Sequence, residues 1–157
     1  MLFRSDPPAV YTETVNDSLV FFITQLEVGL RLVGANEGGG FASEMFVSLN
    51  KDLNTTSVLL NQAGVTPNDS LGAFYDGWDV TFNDAASDDV HAAFLQSGIL
   101  QGLWQPDGRV NPTDSSRPEM LGVFNGGSGN GVWRLAVGDL ATGGQMRLDS
   151  WSLTITG

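Results

Sequence analysis

Along this chain apolar residues recur at every second position, in short runs cut by clusters of glycine, asparagine, aspartate and proline. Val28, Leu30 and Leu32 alternate with Gly29, Arg31 and Val33. Met45, Val47 and Leu49 alternate with Phe46, Ser48 and Asn50, and Trp78, Val80 and Phe82 alternate with Asp79, Thr81 and Asn83. Successive side chains of a strand point to opposite faces, so a period of two predicts strands buried on one face. Further strands are expected at 19–26, 57–61, 91–96, 121–124, 132–138 and 145–156, about nine in all, separated by turn signals. In the last of these, Met146 and Leu148 have one parity and Trp151, Leu153 and Ile155 the other. A one-residue bulge near Asp149 and Ser150 would turn both sets toward the core, and a bend there would let the strand cross between sheets. Ser116 and Glu119 have capping-box spacing, which predicts a helical turn or two before Gly122 at most. The fold class expected is all-β, a sandwich of two antiparallel sheets with Trp133, Leu135, Val137, Leu153 and Ile155 between them. No repeat of 20–50 residues occurs, so residues 6–157 read as one domain. Met1-Leu2-Phe3-Arg4-Ser5 is what a short-read sequencing adapter encodes in frame, so residues 1–5 are expected to be a scar, with the natural start upstream.

Charge and composition narrow the chemistry. The formal net charge is -11, which repels phosphate and makes nucleic acid and anionic membranes poor partners. With no Cys and one His, the chain has no disulfide framework, thiol nucleophile or Cys/His zinc site. No apolar run reaches membrane-spanning length. The glycine runs are not phosphate cradles, because the one Lys, Lys51, is far from all of them. A serine triad would have to use His91, yet no Gly-x-Ser-x-Gly elbow is present. His91 reads as a packed or surface residue. The five glutamates are scattered, without the paired strand pattern of a glycosidase. The chain is therefore expected not to be an enzyme.

Two groups of residues stand out as binding candidates. Asp84, Asp88 and Asp89 follow a predicted strand and would form half a calcium site, because calcium takes carboxylate and carbonyl oxygens presented by loops. The competing reading is solvated turn aspartates, since turns recruit Asp for backbone hydrogen bonds. Trp104, Asp107 and Arg109 border a turn-rich segment and would make a sugar-binding platform, an aromatic face beside polar groups. The alternative is an Arg109–carboxylate pair that pins a long loop across the end of the sandwich.

The C-terminal half carries a family resemblance. Gly131-Val-Trp-Arg-Leu-Ala-Val-Gly-Asp139, then Gly143-Gly-Gln-Met-Arg-Leu-Asp-Ser-Trp151-Ser-Leu-Thr-Ile155, resembles the closing strands of the proprotein convertase P domain. Ser43-Glu-Met-Phe-Val-Ser-Leu49, Val58-Leu-Leu-Asn-Gln-Ala-Gly64, Trp78-Asp-Val-Thr-Phe-Asn-Asp-Ala-Ala86, Gly102-Leu-Trp-Gln-Pro-Asp-Gly-Arg109, Ser116-Arg-Pro and Phe124-Asn-Gly126 resemble successive blocks of a bacterial branch of that family, in order. The resemblance implies a jelly-roll sandwich of the galactose-binding-like kind. It also implies an exported protein of Gram-negative bacteria, often ending in the PEP-CTERM sorting tail. In convertases the P domain stabilises a subtilisin-like protease without supplying catalytic residues, whereas the bacterial branch commonly stands alone. Where the family usually has Asp-Leu, this chain has Glu44-Met45. The function expected is a non-catalytic extracytoplasmic module, structural or adhesive, with surface polysaccharide or another domain of the same protein as partner. The alternatives are a calcium-stabilised carbohydrate-binding module and an accessory domain of a subtilisin-like protease.

Overall fold

The structure is a computed structural model, and it describes residues 9–17, 21–34, 41–93, 97–141 and 146–157. The expected adapter scar, residues 1–5, lies outside the described residues. Eight strands run in the order β1 (Ala9–Val15), β2 (Gln25–Gly34), β3 (Met45–Lys51), β4 (Thr55–Asn61), β5 (Gly77–Phe82), β6 (Ile99–Trp104), β7 (Gly131–Asp139) and β8 (Met146–Thr156). They form two four-stranded sheets, β1-β7-β3-β4 and β6-β5-β2-β8, whose apolar faces share one core, so the chain is a β-sandwich.

The alternation in the sequence becomes the core directly. In β2, Leu26, Val28, Leu30 and Leu32 are buried and lie opposite Ile155, Leu153, Trp151 and Leu148 of β8. On the other side Val28, Leu30 and Leu32 lie opposite Phe82, Val80 and Trp78 of β5. Paired residues of antiparallel strands share a face, so these ladders are continuous apolar stripes. The register of β2 on β8 shifts between Arg31, opposite Ser150, and Leu32, opposite Leu148. Asp149 is thus the extra residue of a bulge that keeps both parities of β8 on the core side. In the facing sheet Val47 and Leu49 lie opposite Val137 and Leu135. Trp133 and Leu135 are fully buried, whereas Val137, Leu153 and Ile155 are half-buried and pack against the core.

Several expectations are corrected. The strand expected at 19–26 and the one from Val28 to Val33 give way to a single strand, β2, that begins at Gln25; residues 19–20 lie outside the described residues. β8 pairs within one sheet and does not cross to the other. Residues 121–124 form a 3₁₀ turn, Leu121–Phe124, as do Val90–Ala92 where a strand was expected at 91–96; residues 94–96 lie outside the described residues. β6 pairs parallel with β5, Gly77 opposite Ile99 and Phe82 opposite Trp104. The turn at Leu121 is not capped by Ser116. Asp84 receives its leading N–H groups instead, from Leu121 at 3.0 Å and Gly122 at 2.5 Å.

The edge of β4 positions the site. Segment 105–119, the strap, lies along it: Asp107 N–H donates to the Leu59 carbonyl (3.0 Å), Gly108 N–H to Val58 (2.9 Å), and Val58 N–H to Glu119 (2.9 Å). Ser57 to Asn61 are consequently all buried, although β4 is the last strand of its sheet.

Candidate functional site

The polar residues singled out by the sequence fall at one end of the sandwich, where the turn after β5, the strap, the end of β4 and the loop 62–76 meet. Their geometry is an ion network rather than an open platform.

Asp107 is its centre. The carboxyl is fully buried and both oxygens accept: Oδ2 from Asn61 N–H (3.1 Å) and from His91 Nδ1 (2.7 Å), Oδ1 from Arg109 Nη1 (3.0 Å). Arg109 spreads its donors over three residues, two in the strap and one in the turn after β5. Nε donates to the Asp114 carbonyl (2.9 Å), Nη1 to Asp107, and Nη2 to Asp89 Oδ2 (2.7 Å). Burial works against the Arg109 charge, but the bonds from Asp89 and Asp107 hold its proton more firmly than usual. Arg117 donates from Nε to the Asp107 carbonyl (2.8 Å), from Nη1 to Gln105 Oε1 (2.7 Å) and from Nη2 to the Pro106 carbonyl, and it stands 3.5 Å from Asp89 Oδ1. Two carboxylates and two guanidinium groups therefore neutralise one another in a site largely shut off from water. Such pairing is what makes buried charge tolerable.

The sole histidine completes the cluster. Asp89 caps the turn Val90–Ala92 by accepting from His91 N–H (2.9 Å), which points the imidazole inward. Nδ1 faces Asp107 Oδ2, and Nε2 faces the Val65 carbonyl at 2.9 Å. Both neighbours are acceptors, an arrangement that only the doubly protonated ring satisfies in full. Burial is the largest influence and lowers the imidazole pKa, and Arg109 adds to that. The bond to Asp107, its charge and the Val65 carbonyl outweigh them and raise it above the ordinary value. Tyr75 lies close enough to feel the Asp107 charge. Burial is the largest influence and pushes its hydroxyl well up; Trp78 opposes it, and the Asp107 charge adds a smaller push upward.

The residues proposed for calcium are brought to one turn but not to one point. Asp84 caps the turn at Leu121, Asp88 is exposed and accepts from the Ser87 hydroxyl (2.6 Å), and Asp89 is engaged by Arg109. Among the described residues no three His, Asp or Glu side chains stand together as a ligand set. Asp84 and Asn83 line a cavity of about 210 Å³ with Gln25, Leu121, Gly122 and Asn125. The Asn83 amide in it is already spent on Glu27 (2.7 Å) and Ala85 N–H (2.8 Å).

The platform reading of Trp104, Asp107 and Arg109 is corrected. Asp107 is buried, Arg109 is locked to Asp89 and Asp107, and Trp104 packs on the core with its indole N–H on the Gln101 carbonyl (2.9 Å). The competing expectation, an Arg109–carboxylate pair pinning a long loop across the sandwich end, is what the structure contains. Arg117, Asn61 and the second partner of His91 were missed. Only the Asp107-x-Arg109 spacing hinted at them, because alternate residues of an extended segment share a side.

No protein-family model matches the sequence, and no curated protein matches it either. Among solved structures the chain is similar to the serine protease of Aeromonas sobria, alone and in complex with a chaperone. In both cases the likeness covers 96% of this chain and 23% of the protease chain at 18% identity, with TM-scores of 0.49 and 0.50 respectively. This is a likeness of fold, and the chain spans about a quarter of the protease's length. Among the described residues no helix is long and apolar enough to cross a membrane.

Proposed function

We propose that this chain is a non-catalytic β-sandwich module, structural or adhesive, of an exported bacterial protein. The observation that carries the reading is the state of the only histidine. The ring is buried and each nitrogen faces a buried protein acceptor, Asp107 on one side and the Val65 carbonyl on the other, so neither is turned toward space where a nucleophile or a water could hand it a proton. The carboxylates beside it are paired with arginines or accept backbone bonds, which leaves them no role as an acid and base flanking a cleft. The export part of the proposal rests on the P-domain resemblance.

The test is an assay of the isolated chain against unstructured peptide and chromogenic glycoside substrates. No turnover is expected. Turnover that disappears in His91→Ala or Asp84→Asn would overturn the reading.

A second reading is that the module accompanies a subtilisin-like protease. The likeness to part of the Aeromonas serine protease favours it, and the role implied is stabilising rather than catalytic. The uninterrupted gene separates the two: an upstream protease domain with its own triad supports the accessory role, and a sorting tail supports the free-standing one.

A further inference from the structure

The tip of loop 62–76 is held to the rest of the molecule in an unusual way. Gly64 (φ +82°) and Gly72 (φ +63°) flank it. Both have backbone angles that glycine adopts readily, so the two positions can serve as hinges. Between them Thr66 and Asp69 bond each other, and Leu71 and Gly72 N–H groups bond the Asp69 carboxyl. Val65 N–H donates back to the Gln62 carbonyl at the base of the loop (3.0 Å), and among the described residues of 64–72 the hydrogen bond that reaches outside loop 62–76 is the one from His91 Nε2 to the Val65 carbonyl. Below Gly64 and above Gly72 the loop is tied firmly, by Gln62 N–H to Met45 and by Ser43 N–H to Ala73.

The geometry points to His91 as a proton-operated latch, which when doubly protonated joins the strap to loop 62–76 and when singly protonated releases the tip of that loop. The groups that face the ring are Asp107 and Arg109 from the strap and Asp89 from its own turn. Arg117 reaches Asp89, and Tyr75 at the end of the loop lies near Asp107. The proton on Nδ1 points at a carboxylate and the one on Nε2 at a neutral carbonyl, so Nε2 is the site that deprotonates. Its lone pair then opposes the Val65 oxygen across 2.9 Å, and a buried carbonyl loses its donor. The strap keeps its bonds from Asn61 and Arg109 to Asp107, so the change is confined to the glycine-flanked tip.

The direction in pH follows from the raised folded-state value. A histidine held above its unfolded pKa of about 6.5 contributes fully below that pH and loses the contribution as pH rises through the folded value. The latch is closed in mildly acidic solution and opens on the alkaline side of about pH 6.5.

Because the chain has one histidine, a ¹⁵N imidazole spectrum of the whole chain reports His91 without assignment. Recorded with amide hydrogen exchange from pH 5 to 9, it should show both ring nitrogens protonated at pH 6. Nε2 should lose its proton above pH 6.5. In step with it, exchange in 64–72, corrected for its intrinsic pH dependence, should accelerate by roughly tenfold or more, the worth of one charge-assisted hydrogen bond. Amides of β3 and β7 should stay protected. In His91→Gln, exchange in 64–72 should be independent of pH; if that variant fails to fold, the wild-type titration decides alone. A ring that titrates at or below 6.5, or loop protection that is unchanged through the titration, overturns the latch.

Discussion

Removing the Asp107 carboxyl tests the reading of this site as a structural clasp. In Asp107→Ala three donors lose their acceptor: the Asn61 N–H, His91 Nδ1 and Arg109 Nη1. Arg109 retains Asp89 at 2.7 Å, so it is half-paired rather than bare. A buried donor left unsatisfied costs about 1–3 kcal/mol, and breaking a buried charge pair from one side about 3–5 kcal/mol. The three losses share one network and do not add, so the expected loss is about 3–5 kcal/mol, a large part of the ~5–15 kcal/mol a domain has. Urea unfolding followed by tryptophan fluorescence reads it as a lower midpoint at unchanged slope. The double variant Asp107→Ala/Arg109→Met should be less destabilised than the sum of the singles by more than about 1 kcal/mol. A single-variant loss below about 1 kcal/mol, or strict additivity, would refute the clasp and return Asp107 to the status of an ordinary buried turn residue.

Other consequences are as concrete. Trp133 is fully buried, stands edge-on to Phe124 at 5.0 Å and donates to the Gly129 carbonyl, so Trp133→Ala should cost roughly 3–5 kcal/mol in the same unfolding assay. Glu44 has a buried oxygen, Oε2, without a hydrogen-bond partner, and burial, then the Asp139 charge, raise its pKa. Its protonated form is the one the fold favours, so stability from this group is present below the unfolded pKa and lost as pH rises through the folded one. Glu44→Gln should therefore raise the melting temperature by about 2 °C at pH 7 and leave it unchanged at pH 4. Asp84→Ala separates capping from cation binding. Loss of the cap lowers stability by about 1 kcal/mol alike in calcium, magnesium and EDTA, whereas a calcium-specific rise in the wild-type melt that this variant abolishes would assign Asp84 to a metal.

The strands were legible where one face is buried. Val28 to Leu32 and Trp78 to Phe82 declare themselves because burial imposes the period, and the parity change at Asp149 marks the bulge in the sequence itself. β1 was invisible for the same reason: Ala9–Val15 is exposed along nearly its whole length, so nothing selects an apolar alternation. Leu121–Phe124 misled because four consecutive residues rich in apolar side chains suit a buried strand or a buried turn equally. At the site, Asp107 and Arg109 were legible as a pair because they are neighbours in sequence. His91 and Asn61 reach Asp107 from 16 and 46 positions away, and Val65 reaches His91 from 26, a convergence that follows from the packing of the strap on β4 and leaves no local signature.

The strap's placement on β4 also sets an order of events during synthesis. β3 and β4 are joined by a short hairpin and can pair as soon as both have emerged, but the partner of β4's outer edge is encoded 46 residues after Asn61 at Asp107 and 62 after Ser57 at Glu119. At ribosomal speeds that gap lasts roughly 2–10 s. Through it the nascent chain presents a hydrophobic strand with a row of unmatched amides and carbonyls, the kind of edge on which chains join one another. Any truncation that ends before residue 105 makes that interval permanent.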